Sequence, residues 1–157
     1  MNLDQVLPKL FVGSGPRDRS DVSRLRTELG ITVVLNLQTD EDLSYLGVDW
    51  EQMESAYRAL GMEVRPVPVM DFNSDDLRLH LPACIMALDE MLRDGHRVYV
   101  HCSGGVNRSP TVVVAYFHRV LGDGIGRGVG FRGGAAPLRA VCRSNPGSEM
   151  GMSYERR

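Results

Sequence analysis

The sequence predicts an α/β fold in which a central, mainly parallel sheet is flanked by helices. Two observations indicate this fold. Short apolar runs rich in β-branched residues alternate with longer amphipathic segments over residues 1–121, and glycines close several of those segments. Strands that alternate with helices form parallel sheets covered on both faces. At 157 residues the chain is long enough for one such domain around a single core.

The predicted strands are residues 9–12, 31–37, 63–69 and 98–100, and the predicted helices are residues 21–29, 49–60, 75–93 and 109–120. Gly30 and Gly61 are expected to end the first two helices, because glycine readily adopts the left-handed conformation common at helix C-termini. Asp49 is a suitable N-cap for the second helix. Two prolines in the segment 63–69 indicate an edge or irregular strand.

The chain after residue 97 carries the clearest chemical signal. The apolar strand 98–100 ends at His101 and Cys102, and Arg108 follows where an apolar helical pattern begins. Backbone N–H groups of a tight loop at a helix N-terminus bind anions. We expect the electrostatic field of these N–H groups to lower the pKa of Cys102, which favours the nucleophilic thiolate. The planar guanidinium of Arg108 suits a phosphate group, so the loop predicts a thiolate and a clamp around one phosphate.

The remaining loop residues have supporting roles in this interpretation. Gly104 and Gly105 allow backbone angles that other residues avoid. Ser109 is expected to hydrogen-bond the sulfur when it leaves, and His101 is expected to orient the loop by hydrogen bonding rather than to act as a base. The predicted phosphate-binding set is Ser103, Gly104, Gly105, Val106, Asn107, Arg108 and Ser109.

If the Cys102 thiolate attacks a phosphate ester, as in a cysteine-based phosphatase, a proton donor for the leaving alkoxide is also needed. Asp71, at the end of the third predicted strand, is the candidate general acid. Asp75 and Asp76 precede a helical pattern and are interpreted as capping residues of the helix 75–93. This helix is expected to be interrupted at Pro82.

The His-Cys pair, the five loop residues and Arg108 resemble the signature of the dual-specificity branch of the protein tyrosine phosphatase superfamily. Within that branch the chain is most similar to glucan phosphatases, which dephosphorylate starch or glycogen. The resemblance covers about residues 10–121. It also rests on residues 11–16, 35–42, 45, 47–49, 71–72, 77–78 and 81–82.

This resemblance implies that Cys102 is the nucleophile, Arg108 the phosphate clamp and Asp71 the acid. It also implies that Tyr45 and Phe72 bind substrate by stacking on glucose units, for which ordinary packing is the alternative. The signature departs from the family where Gly104-Gly105 replaces Ala-Gly, and where Asn107 replaces the glycine before the arginine.

Three functions therefore stay open. The first is hydrolysis of phosphorylated glucan through a cysteinyl-phosphate intermediate. The second is a dual-specificity protein phosphatase (Tyr, Ser and Thr) on the same fold, or a phosphatase of other phosphoesters. The third is a phosphate-binding domain with impaired turnover. The mechanism implied by the cysteine, arginine and aspartate needs no metal and no other cofactor.

The composition restricts partners and compartment. The net charge of −2, from 18 basic and 20 acidic side chains, predicts neither a nucleic-acid nor a membrane partner. Cys84, Cys102 and Cys142 lack the spacing of a zinc site or a disulfide framework, and Cys84 is expected in the core. The first residues resemble neither a signal nor a transit segment, so we expect a cytoplasmic protein, or a plastid protein if a transit segment was removed. The sequence does not indicate an oligomeric state.

Residues 122–157 break the alternating pattern. Nine of these 36 residues are glycine and six are arginine, with little helical periodicity. We interpret this segment as an atypical tail that is frameshifted, diverged or disordered. The catalytic domain is accordingly predicted to comprise residues 1–121.

Overall fold

A computed structural model describes residues 1–120 and 122, so the prediction for the tail lies outside the described residues except at Gly122. The described strands are β1 (Leu3–Leu7), β2 (Leu10–Ser14), β3 (Val33–Asn36), β4 (Glu63–Pro66) and β5 (Val98–Cys102). The described helices are α1 (Arg19–Thr27), α2 (Asp40–Leu46), α3 (Trp50–Ala59), α4 (Ser74–Arg93) and α5 (Arg108–Val120).

The strands form one sheet in the order β1-β2-β5-β3-β4. β1 pairs antiparallel with β2, whereas β2, β5, β3 and β4 are parallel to one another. The predicted α/β fold with a mainly parallel sheet is therefore confirmed. Because β5 lies between β2 and β3, the loop after β5 opens at the carboxyl edge of the sheet, where α/β folds bind ligands.

Alternate residues of the central strand face two different cores. Val98 and Val100 of β5 belong to the core that includes α4 and α5, whereas Tyr99 belongs to the core that includes α1 and α3. Burial on both faces explains the continuous apolar run of this strand. Cys84 lies in the first core as expected, and burial raises the pKa of its thiol to about 12.

The start and the middle of α4 differ from the sequence prediction. Asn73 is the N-cap, and its side chain accepts from the backbone N–H groups of Asp75 and Asp76 at 3.1 and 3.0 Å. The two aspartates therefore occupy the first turn, where their charges favour the helix dipole. The helix also continues through Pro82, which is exposed. Buried side chains before and after it, such as Leu81 and Ile85, hold both halves of the helix against the core.

Two short elements were absent from the sequence prediction. β1 extends the sheet at its edge beside β2. α2 begins at a capping box in which Thr39 and Asp42 satisfy each other's backbone N–H groups, and it ends at Gly47 with a φ of 65°. α2 has seven residues, too few for a helical period to show, and the apolar residues of β1 are interrupted by Asp4 and Gln5.

β4 is an edge strand, as its prolines predict. It ends at Pro66, before the predicted limit at residue 69. Beyond it, the N–H groups of Val67 and Val69 still donate to Asn36 O and Leu37 O at 2.9 and 3.1 Å. This irregular pairing guides the chain toward the carboxyl edge of the sheet.

Replacing Pro82 with alanine is expected to stabilise the protein. A proline inside a helix removes one backbone hydrogen bond and crowds the preceding turn, which costs roughly 3 kcal/mol, partly offset by the stiffer unfolded chain. We expect Pro82→Ala to raise the free energy of unfolding by about 1–2 kcal/mol in urea denaturation. Met86→Ala, on the same exposed face of α4, is the control and should change it little. A destabilised Pro82→Ala variant would contradict this account of α4.

Candidate active site

The loop between β5 and α5 closes around the sulfur of Cys102. The backbone N–H of Gly105 donates to Cys102 Sγ at 3.3 Å, and Ser109 Oγ lies 3.3 Å from the same sulfur. The cysteine is 1% exposed. The predicted nucleophile and the hydroxyl predicted to assist its departure are thus brought together.

Close contact with the end of β2 explains why this loop contains Gly105. Its φ is 72°, and a Cβ atom there would lie 2.6 Å from both Gly13 C and Ser14 N. Ser109 Oγ also donates to Gly13 O at 3.1 Å. The loop is therefore fixed to the strand beside β5, and a side chain at position 105 would displace it.

The guanidinium of Arg108 is fully buried, and one of its edges is committed to the protein. Nη1 donates to Leu37 O at 3.2 Å and to Val69 O at 2.7 Å. Nη1 and Nη2 also donate to the two carboxylate oxygens of Asp42, at 2.6 and 3.3 Å. The acceptors for this edge lie on the chain segments that follow β3 and β4.

The other edge of the guanidinium has donor capacity left. Arg108 Nε is buried and has no hydrogen-bond partner within the part of the chain that the structure describes. Nη2 also donates to Ser103 Oγ at 3.0 Å and lies 3.0 Å from Asp71 Oδ2. A phosphate oxygen pair accepts from Nε and Nη2 in the geometry that guanidinium groups favour. Binding there requires Asp71 to leave Nη2.

Asp71, the predicted acid, reaches this loop with both carboxylate oxygens. Oδ2 pairs with Arg108, and Oδ1 accepts from Asn107 Nδ2 at 3.2 Å. The side chain is 25% exposed, so it lies at the boundary between the site and solvent. The structure therefore brings Cys102, Arg108 and Asp71 to one loop, while their chemical roles stay predictions.

Asp42 is a site residue that sequence reasoning missed. Burial acts to raise its pKa, but the hydrogen bonds from Arg108 and from the backbone of Thr39 outweigh burial and lower that pKa. The carboxylate is therefore charged beside a buried cation, whose own pKa it raises against the effect of burial. The capping pattern of Thr39 and Asp42 was the available signal, but it indicates a helix start and says nothing about Arg108.

His101 is buried beside the loop. Its ring makes no hydrogen bond of full geometry among residues 1–120 and 122, but it has a polar contact with the backbone of Cys102 that raises its pKa slightly against burial. The ring also stacks on Tyr99 with centroids 5.6 Å apart. Burial lowers the pKa of His101 to about 4, so the ring is neutral at pH 7.

The remaining predicted loop residues line the rim. Ser103 Oγ accepts from Arg108 and also from Gln38 Nε2 at 3.3 Å, which joins the loop to the segment after β3. Gly104 and Val106 are exposed. Their backbone N–H groups, rather than side chains, are therefore the groups available to an anion.

Tyr45 and Phe72 are the most exposed large apolar side chains described, at 90% and 89%. Ordinary packing within the described residues therefore does not explain either ring. Tyr45 lies one helical turn after Asp42 on α2, and Phe72 directly follows Asp71. Phe72 also has a φ of 54°, which is strained for a residue with a bulky side chain.

Two further features concern metals and membranes. Within the described ranges, no group of three or more His, Cys, Asp or Glu side chains is placed to hold a metal ion. The helices of that same part of the chain are too short or too polar to cross a membrane.

Comparison with known families places this site in a defined group of proteins. Residues 10–121 match the family described as "Dual specificity phosphatase, catalytic domain". The chain belongs to this family. The match ends at the residue where the sequence pattern changes, and it includes the loop, Asp42 and Asp71.

Relatives of this family differ in the substrates that their names give. The chain is 36% identical over 124 residues to "Phosphoglucan phosphatase DSP4, amyloplastic" of Castanea sativa, covering 78% of this chain and 33% of that protein. It is 32% identical over 121 residues to "Dual specificity protein phosphatase 26" of Bos taurus, covering 74% of this chain and 53% of that protein. The matched region thus spans about half or less of each relative.

A solved structure supports the same fold. The structure titled "Tk-PTP in the active form" superimposes with a TM-score of 0.61 at 24% identity, covering 93% of this chain and 86% of that chain. This likeness concerns the fold alone.

Removing the charge of Asp42 is expected to impair the clamp. A buried cation that loses its charged partner is destabilised, and the side chain gains freedom to turn. We expect Asp42→Asn to lower the melting temperature and to reduce kcat/KM for an aryl phosphate about tenfold or more, equal to about 1.4 kcal/mol. Asp40→Asn, in the same first turn of α2 but exposed, is the matched control. Equal effects of the two substitutions would contradict the assigned role of Asp42.

The lowered pKa of His101 predicts a loss of stability in acid. The unfolded chain takes up a proton near the ordinary pKa of 6.5, whereas the folded protein resists protonation until about pH 4. The contribution of neutral His101 to the free energy of unfolding is complete above pH 6.5. It declines as the pH falls through this window, by about 3 kcal/mol in total. Urea denaturation between these pH values should show a shallower decline for His101→Gln than for the wild type. A decline of equal steepness in the two proteins would refute the assignment.

Proposed function

We propose that the protein hydrolyses phosphomonoesters through a cysteinyl-phosphate intermediate. One observation carries the proposal: a single loop holds the Cys102 sulfur and the buried guanidinium of Arg108, whose Nε has no partner in the described part of the chain. Asp71 lies on the same guanidinium. These are the nucleophile, the anion clamp and the proton donor that phosphoryl transfer requires.

The first step forms a sulfur–phosphorus bond. The phosphate oxygens accept from Arg108 Nε and Nη2 and from the loop N–H groups, and Asp71 Oδ2 leaves Nη2 and takes up a proton from solvent. The Cys102 thiolate attacks phosphorus, the bond from phosphorus to the leaving oxygen breaks, and Asp71 gives its proton to that oxygen. The fixed donors stabilise charge on the equatorial oxygens without rearranging.

The second step releases phosphate. Water attacks the cysteinyl-phosphate while the Asp71 carboxylate accepts a proton from it. The sulfur–phosphorus bond breaks, and the Ser109 hydroxyl, 3.3 Å from Sγ, turns from Gly13 O and donates to the departing thiolate. Asp71 is then protonated again and ready for the next substrate. Every group in both steps belongs to the polypeptide, the substrate or water.

Phosphorylated glucan is the substrate class that we propose. The supporting observations are the named activity of the phosphoglucan relative and the two exposed rings beside Asp42 and Asp71. The apolar face of an aromatic ring suits the C–H face of a sugar. Phe72 is held outward at a backbone cost of about 1–2 kcal/mol, which fits a role outside the core.

A dual-specificity protein phosphatase is the second candidate, supported by the relative from Bos taurus. A phosphate-binding domain with impaired turnover is the third outcome of the same test. A cytoplasmic location, or a plastid location after removal of a transit segment, also stays a proposal.

Phosphate release from three substrates separates these functions. The substrates are solubilised phosphorylated starch, a phosphotyrosine peptide and an artificial aryl phosphate. We expect the wild type to hydrolyse all three, with the highest kcat/KM for starch, and Cys102→Ser to hydrolyse none, because a hydroxyl is a far weaker nucleophile here. Preference for the peptide would favour the protein phosphatase, and no release by the wild type would indicate impaired turnover.

Removing the two exposed rings should lower kcat/KM on the glucan and leave kcat/KM on the small aryl ester almost unchanged. We expect Tyr45→Ala combined with Phe72→Asn to lower kcat/KM for starch about tenfold, since each stacking contact contributes roughly 0.5–1.5 kcal/mol. Asparagine is chosen at position 72 because it tolerates a positive φ, so the loop keeps its course. Leu79→Ala, at an exposed apolar residue of α4, is the control. Equal losses on starch and on the aryl phosphate would argue against a glucan platform.

A further inference from the structure

Asn107 occupies a fixed position between the loop and α5. Its carbonyl accepts from the Thr111 N–H at 3.1 Å and from Thr111 Oγ1 at 2.8 Å, which anchors its backbone at the first turn of the helix. Its side-chain amide extends to the Asp71 carboxylate, with Nδ2 3.2 Å from Oδ1. The residue is thus anchored through its backbone to the first turn of α5, and its side-chain amide contacts the proposed acid.

The two oxygens of Asp71 have different partners. Oδ2 pairs with Arg108 Nη2 at 3.0 Å, and this contact must break when phosphate takes the guanidinium edge. Oδ1 accepts from Asn107 Nδ2, and it also accepts from the backbone N–H of the next residue, Phe72, at 3.1 Å. Neither of these donors lies on the edge that phosphate occupies, so Oδ1 keeps its partners when Oδ2 loses its own.

We propose that Asn107 is a positioning residue that orients Asp71 for proton transfer. The amide group Nδ2 only donates, so Oδ1 must remain an acceptor and the proton resides on Oδ2. Once released from Arg108, Oδ2 takes up a proton from solvent and transfers it to the leaving oxygen as the bond from phosphorus to that oxygen breaks. The same oxygen takes a proton back from water in the second step. This inference rests on the proposed phosphatase function.

No other acid among the described residues fits this arrangement. Asp42 is the other carboxylate on Arg108, and both of its oxygens are committed to the guanidinium. Asp76 accepts from the Met70 N–H at 2.7 Å and lies 3.4 Å from His80. The proton donor that phosphate binding releases is therefore Asp71, and Asn107 determines which way it points.

Leaving-group dependence tests this role, because a good leaving group departs without a proton and a poor one does not. The experiment compares kcat/KM of wild type and Asn107→Ala on nitrophenyl phosphate and on phenyl phosphate. We expect Asn107→Ala to lower kcat/KM at least about tenfold more on the phenyl ester than on the nitrophenyl ester, whose loss measures any separate effect on phosphate binding. Gln52→Ala on α3, which also removes an amide that donates to a carboxylate, is the matched control.

A second variant pair separates positioning from general damage to the loop. If Asn107 acts through Asp71, Asp71→Asn/Asn107→Ala should be no slower on phenyl phosphate than Asp71→Asn alone. Equal losses of Asn107→Ala on both esters, or additive losses in the double variant, overturn the inference. If the wild type is active and Asn107→Ala leaves its leaving-group dependence unchanged, the role of Asn107 is overturned while the proposed function stands. A wild type that hydrolyses neither ester overturns the proposed function as well.

Discussion

The burial of the Arg108 guanidinium is the interaction on which the site depends. A buried cation is stable only when its charge is paired and its N–H groups have acceptors. Here the carboxylate comes from α2, and two backbone carbonyls come from the segments after β3 and β4. Three separate stretches of chain therefore have to meet at the carboxyl edge of the sheet. The same contacts that satisfy the charge also fix the direction in which the guanidinium points.

The hydrogen bonding of this guanidinium is incomplete in a way that suits an anion. The protein occupies one edge of the guanidinium and leaves Nε of the other edge without a partner in the described residues. Asp71 covers the shared Nη2. In the proposed mechanism, a phosphate dianion replaces one carboxylate oxygen on the guanidinium with its own oxygens, so it enters a site that is already assembled. Little reorganisation is then required at the moment of reaction, which is the physical basis of electrostatic catalysis.

In the proposed function, substrate selection lies outside the groups that perform the chemistry. The exposed rings of Tyr45 and Phe72 are attached to the same two segments that deliver Asp42 and Asp71 to the guanidinium. Chemistry and recognition are therefore linked through backbone continuity, while the rings themselves contribute little to the core. Such an arrangement allows related catalytic domains to share one mechanism and to differ in the surface that surrounds it.

Local patterns in the sequence were enough to predict the strand, the loop and the helix that hold Cys102 and Arg108, because an apolar run, glycines and a helical period lie in consecutive residues. The sequence also predicted the parallel sheet and indicated Asp71. The contact of Asp42 with Arg108, across a separation of 66 residues, and that of Asn107 with Asp71, across 36, became visible only in the folded chain. Local patterns report the conformation of neighbouring residues, whereas these contacts depend on how distant segments pack. A capping aspartate and a loop asparagine look the same in sequence whether or not they face the site.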